Sequence, residues 1–346
     1  MRFFHTCALV LPLVLLAACD GDDNSSSTTS STTSGTPTGS GGGPGTGVGG
    51  TGGGDTGSGG TGGGTGGGMS WEGVDPIANT EPATEVANGF EFSEGTCWFP
   101  AEGVLRFTDI PASTIHEVDA QGVVTVWREP SGKANGLAVA PNGDILAAEH
   151  QNRRVTRSTS SDMIEVVADT YQGMQFNSPN DVIVRSDGNI YFTDPTYGLE
   201  GAPQQLSFQG VFRVAPDGSV SLVGDNFNQP NGIALSPDEQ TLYVTDSAAS
   251  ELHAFPVNAD GSTGPGQKLL DTGMGPDGMA VDDGGNLYLT VAGGVQVLRS
   301  DGTQWGTISL TKQPANCAFG DADRRTLYIA AQNSLYKVRL NIPGKP

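Results

Sequence analysis

The chain has 346 residues, with 17 basic and 38 acidic side chains, a formal net charge of −21 and 52 glycines. A surface this acidic repels nucleic acid and anionic lipid, which excludes polyanion binding as the function. Glycine dominates before Trp71 and apolar residues after it, so the chain divides into a segment too polar to bury a core and one of 276 residues that can.

Residues 1–18 read as an export signal: Arg2 supplies positive charge, Cys7 to Ala18 an apolar core, and Leu16-Ala17-Ala18-Cys19 a small-residue site before a cysteine. The core is too short to span a bilayer, so cleavage is expected rather than anchoring by a helix. The site resembles a bacterial lipobox, which makes Cys19 the lipidated first residue of the mature protein. The protein is thus expected to be exported and held at the cell envelope, facing the periplasm or the cell surface, by a lipid anchor alone. A plain secreted protein is the alternative. Residues 19–70 are Gly, Ser and Thr and read as a disordered tether reaching on the order of 40 Å. Residues 71–346 show no further domain boundary and are expected to form one monomeric domain.

Thr84-Glu85-Val86-Ala87 is a short β-prone segment ahead of a repeat. Six stretches share a polar residue, an apolar strand, a turn and a second strand, and they begin at Glu94, Asn135, Asn180, Asn231, Asp277 and Asn316. The steps of 41, 45, 51, 46 and 39 residues match a four-stranded propeller blade. Turns such as Ser186-Asp187-Gly188-Asn189 join β-branched and aromatic segments such as Ile190-Tyr191-Phe192-Thr193. No stretch has sustained helical periodicity, so the fold class is all-β, a six-bladed β-propeller. Its sixth blade runs out of sequence after a third strand, and Thr84–Ala87 is expected to supply the fourth and close the ring.

Cys97 and Cys317 are the thiols of this domain. Each stands an odd number of residues from its axial neighbour, Glu94 or Asn316, so both are expected on the same rotational side of their strands, as buried free thiols rather than a disulfide. No Cys/His spacing suggests a zinc site.

In a propeller the innermost strands line a central channel, so the six repeat-equivalent residues should point at one axis. Six oxygen-bearing side chains with no Lys or Arg among them form a cage for a hard cation. Asn180, Asn231 and Asp277 follow prolines, which pin their backbones. Asp109, Asp194 and Asp246 occupy a second repeated position and are expected to cap turns.

Together, Glu94-Gly95, Ser178-Pro179-Asn180-Asp181-Val182, Tyr191 through Gly198, Pro230-Asn231-Gly232, Ser236-Pro237-Asp238, Pro276-Asp277-Gly278-Met279 and Asn316 through Gly320 resemble the gluconolactonase, regucalcin (senescence marker protein) and luciferin-regenerating-enzyme family. The resemblance runs from about Gly89 to Arg339, with the motifs in family order. It implies a divalent metal in the channel, most often Ca2+ with Zn2+, Mn2+ and Mg2+ as alternatives, and hydrolysis of sugar lactones. Carried over by motif, the metal ligands would be Glu94, Asn231 and Asp277, with Asn180 binding the metal or the substrate. Regucalcin-like members have an Arg where this chain has Ser178, which puts that substrate contact in doubt. Glu149-His150 before paired arginines looks like the bacterial gluconolactonase branch and suggests a substrate contact by Glu149 or His150. Asn135, and Tyr197 in a loop able to cover the channel, complete the substrate-binding candidates.

A cation with an open coordination position would polarise a lactone carbonyl, and a carboxylate beside it would take a proton from water, Asp277 first and Glu94 second. No G-x-S-x-G elbow occurs after Trp71, which argues against a serine nucleophile. Two other functions fit the same residues: a phosphotriesterase of the diisopropyl-fluorophosphatase type, and a non-catalytic ligand-binding lipoprotein with a structural cation.

Overall fold

The computed structural model describes residues 70–345, which form an all-β six-bladed propeller. The signal segment 1–18, Cys19 and the tether as far as residue 69 lie outside the described residues. After β1 (Thr84–Asn88), blade one is β2 (Ser93–Phe99), β3 (Val104–Asp109), β4 (Thr114–Val118) and β5 (Val124–Arg128). Blade two is β6 (Ala134–Val139), β7 (Ile145–Glu149), β8 (Arg154–Ser158) and β9 (Ile164–Ala168), followed by a small hairpin, β10 (Thr170–Tyr171) and β11 (Met174–Gln175). Blade three is β12 (Val182–Val184), β13 (Ile190–Asp194), β14 (Gln209–Val214) and β15 (Val220–Phe227). Blade four is β16 (Pro230–Leu235), β17 (Thr241–Asp246), β18 (Glu251–Pro256) and β19 (Gln267–Asp271). Blade five is β20 (Met279–Val281), β21 (Leu287–Val291), β22 (Gly294–Leu298) and β23 (Gln304–Ser309). Blade six is β24 (Pro314–Gly320), β25 (Thr326–Ala331) and β26 (Ser334–Arg339), completed by β1.

The closure follows the sequence expectation. β1 pairs antiparallel with β26, Thr84 opposite Lys337 and Asn88 opposite Ser334, so both ends of the domain share one sheet and no inner edge is left open. Local chemistry sets the turns: Asp187, Asp217, Asp260 and Asp301 each accept the N–H two residues ahead through a side-chain oxygen. The intervening glycines have φ between +79° and +89°, a region closed to most other residues. Between blades the faces are apolar. Phe176, Phe192 and Phe212 are fully buried with ring centroids 5.0–5.5 Å apart, each stabilising the fold by roughly 1.5–3 kcal/mol.

Where the inner strands reach the axis they bulge. Glu94 pairs with Thr108 but Cys97 with Arg106, one extra residue on β2, and β6 and β16 shift register at the same place. The bulge corrects the parity expected of the two cysteines. Cys97 takes the place that Ala318 has in β24, and Cys317 pairs one residue earlier, with Ile329. Cys97 therefore packs with Leu137 and Ala147 of blade two, and Cys317 with Tyr288 of blade five. Both are buried and free.

Candidate active site

Each bulge has a physical reason in the residue after the axial one. A Cβ on Gly95 would lie 1.9 Å from the Asn135 carbonyl oxygen, on Gly232 2.5 Å from that of Asp277, and on Gly278 2.8 Å from that of Ala315. Neighbouring inner strands touch here, backbone to backbone, and Gly136 N donates to Asn180 O at 2.7 Å. Threonines lock the contact. Thr108, Thr193, Thr245 and Thr290 each donate a hydroxyl to a carbonyl of the next blade's inner strand, at Asn135, Asn231, Asp277 and Ala315. The following residue clamps the loop that enters its own blade: Asp109 accepts from Glu91 and Phe92 N–H, Asp194 from Asn177, and Asp246 from Asn228 and Gln229. The three aspartates thus cap turns, as their repeat position suggests.

On this frame Glu94, Asn135, Asn180, Asn231 and Asn316 are all buried and Asp277 is partly buried. Among the described residues, no three His, Cys, Asp or Glu side chains cluster; the axial set is two carboxylates with amides. Burial, then the nearby charge of Asp277, pushes the Glu94 carboxyl well above the usual range, against an N–H from Gly95 at 2.7 Å. Burial pushes Asp277 up to about 7, opposed by the Asn231 amide. A buried carboxyl raised by the charge of a second, itself raised by burial and by Asp181, with no Lys or Arg among their neighbours, favours a cation at that point.

The amides do not all present oxygen to the axis. Ser247 accepts from Asn231 Nδ2 at 3.0 Å, which leaves Asn231 Oδ1 free. The Asn135 Nδ2 donates to His150 Nε2 at 3.3 Å and leaves Asn135 Oδ1 free in the same way. Asn316 is the exception and corrects the six-oxygen expectation: in blade six the axial position belongs to Ala315, whose carbonyl takes the contact that Asn135, Asn231 and Asp277 take elsewhere. Asn316 stands one residue on, with Thr96 Oγ1 donating to its Oδ1 at 2.9 Å and its amide a hydrogen-bond partner of Glu94.

Asp181, one residue past the axial position of blade three, is the buried carboxylate that repeat reading missed. It stands where blades one, two, four and five have glycine, and Gly136 makes room for it, a Cβ there falling 2.4 Å from Asp181 Oδ1. It accepts from Val182 and Ile233 N–H, and burial pushes it up to about 7. A cavity of about 120 Å³ is lined by Asp181, both cysteines and Lys345. The one sequence signal for Asp181 is the break from Asn-Gly to Asn-Asp.

Glu149 and His150 serve the frame. One Glu149 oxygen accepts from Arg128 at 3.0 Å and Thr156 at 2.9 Å, the other from Arg154 at 2.7 Å and Asn152 at 2.6 Å. Its oxygens are taken up by residues of blades one and two, which corrects its assignment as a substrate contact. Burial pushes His150 down to about 4, so its ring is neutral at pH 7 and accepts from Asn135. Tyr197 lies in a 3-10 turn, Tyr197–Leu199, with its hydroxyl near Ser247, Asn231 and Asp277.

A family model described as SMP-30/Gluconolactonase/LRE-like region matches residues 92–333. A gluconolactonase from Zymomonas mobilis is 34% identical over 299 residues, 76% of this chain and 82% of that protein. The structure of a gluconolactonase from Xanthomonas campestris superposes with a TM-score of 0.73 at 32% identity, covering 78% of this chain and 92% of the other. A calcium-binding protein, regucalcin, from Agrobacterium tumefaciens shares the fold with a TM-score of 0.67 at 20% identity, over 77% of this chain and 96% of its own.

Proposed function

The chain belongs to the SMP-30/gluconolactonase/LRE-like family and is a lactone hydrolase, and from that premise we propose that it hydrolyses a sugar lactone such as gluconolactone in its central channel with a divalent cation. The observation that carries the reading is the pair Glu94 and Asp277, one buried and one partly buried carboxyl facing one axial space beside Asn231 with no basic group between them. Glu94, Asn231 and Asp277 would hold the ion, with Asn180 binding it or the substrate. Their hard oxygen donors suit calcium, the ion named for the regucalcin relative. Such an ion, when bound, polarises the lactone carbonyl.

The protein's own groups do the rest. Asp277 takes the proton of the attacking water, since a carboxylate at the axis is the base within reach of that space. Glu94 is the second candidate for that role. Asn135 Oδ1, aimed by His150, accepts from a substrate hydroxyl. Ser247 and His150 fix two amide orientations before substrate arrives, so no reorientation opposes binding.

The test uses protein stripped with chelator and assayed on a panel of sugar and aliphatic lactones, with metals returned one at a time. Calcium should restore hydrolysis and raise the melting temperature, because an ion bound by the native state stabilises it. Hydrolysis at full rate in excess chelator would overturn the metal-dependent reading. We also propose that Cys19 is lipidated and tethers an exported domain to the envelope. Radiolabelled palmitate should enter the wild-type protein and not Cys19→Ala; label in both would reject that anchor.

A further inference from the structure

We infer that Tyr197 is a specificity-determining residue that selects lactones whose ring carries hydroxyl groups; the inference rests on the lactonase reading above. The loop that carries it, 195–201, sits on a seat built from blades two and three. Gly198 lies against His150 so closely that a Cβ would fall 2.5 Å from the ring. Gly198 N donates to Ser178 Oγ at 2.9 Å, Ser178 Oγ donates to Pro195 O at 2.7 Å, and Thr196 N donates to Gln209 Oε1 at 2.9 Å. Lys133 closes the far side on Glu200 at 2.5 Å. Ser178, which stands where regucalcin-like members have an Arg, therefore spends its hydroxyl on holding this loop.

Held in this way, the Tyr197 residue is 47% exposed while its hydroxyl sits beside Ser247, Asn231 and Asp277. The Ser247 hydroxyl is already committed, donating to Pro276 O and accepting from Asn231 Nδ2. The phenol is thus the adjustable donor and acceptor at the mouth of the candidate site. Lys133 and Glu200 neutralise one another, so the loop presents a hydroxyl and an aromatic face to an incoming ligand rather than a charge. That combination fits an uncharged polyhydroxylated ring, with the hydroxyl bonded and the C–H face against the aromatic. A site built to hydrogen-bond a hydroxyl discriminates strongly against a substrate that lacks it, whereas an apolar wall does not.

The experiment compares kcat/KM for D-glucono-1,5-lactone with kcat/KM for δ-valerolactone, which has the same ring size and no hydroxyls. Tyr197→Phe should lower the ratio of the two at least about tenfold, mainly by raising KM for the sugar lactone, with an unchanged melting temperature. Gly198→Ala, which pushes the loop off His150, should lower the ratio as well. A ratio in Tyr197→Phe within about twofold of the parent's overturns the inference and leaves the lactonase reading standing. A parent that prefers δ-valerolactone also overturns it. A parent that hydrolyses neither lactone with any metal supplied removes the lactonase reading and the inference together.

Discussion

Replacing Asp181 with Asn should stabilise the metal-free protein at pH 8 and not at pH 5. Burial between Gly136 and the inner strand of blade four pushes this carboxyl up to about 7, so at pH 8 the folded protein holds it charged in surroundings that resist the charge. Against an ordinary carboxyl near 3.9, that ionisation costs the fold about 4 kcal/mol. The sign follows from proton binding. Between about pH 4 and pH 7 the folded state retains a proton that the unfolded chain has released, so stability falls as pH rises through that window and is fully reduced above it. Asn cannot ionise and removes this fall. It keeps one acceptor for the Val182 or Ile233 N–H and loses the other, which costs about 1 kcal/mol. The net expectation is a gain of about 3 kcal/mol at pH 8 and almost no change, within about 0.5 kcal/mol, at pH 5, where about 1.5 kcal/mol of the ionisation cost is already present and offsets the lost acceptor. Urea unfolding of parent and variant in chelator at both pH values reads it. Asp194 and Asp277 carry raised pKa values of their own, about 8 and about 7, so the decisive quantity is the difference between variant and parent. A difference that is the same at both pH values would refute the reasoning, because Asp181 would then not be the group whose charge the fold resists.

Asp277→Asn keeps the shape and one oxygen but removes the proton acceptor, so lactone hydrolysis at saturating metal should slow by at least about a hundredfold; an unchanged rate would move the base to Glu94. Glu149→Ala should cost about 3–5 kcal/mol in urea unfolding, since it strands the buried Arg128 guanidinium, and a loss below about 1 kcal/mol would mean that the ion pairs of Glu149 with blades one and two are dispensable. Gly278→Ala should lower the melting temperature and impair hydrolysis together, because a Cβ meets the Ala315 carbonyl at 2.8 Å and the Asn316 amide at 2.6 Å. A Gly278→Ala protein as stable and active as the parent would show that the blade contact at the axis yields.

The blade count and the closure by Thr84–Ala87 were legible in the chain, because they rest on local signals, whereas the axial position of blade six was placed one residue late, at Asn316 instead of Ala315. Strand alternation, Asx turns and a recurrent Asn-Gly each span a few residues, and repetition multiplies a weak local pattern into a firm one. What decided the chemistry of the axis is not local. Thr96 lies 220 residues from the Asn316 amide that it turns toward Glu94, and His150 and Ser247 set two other amides from 15 and 16 residues away, across the strand pairs of blades two and four. An Asn in a sequence carries both a donor end and an acceptor end, and only its neighbours in space choose which faces the channel. The parity of Cys97 was misread for a related reason: the bulge at Gly95 exists because the Asn135 backbone of the next blade crowds that position, a contact that no alternation within β2 reveals. Glu149 looked available for substrate because its sequence neighbours are suggestive, yet Arg128, 21 residues earlier, occupies one of its oxygens. Asp181 became a buried carboxyl only when three blades closed around it, since burial, which sets its pKa, belongs to the assembled ring and not to any segment of it.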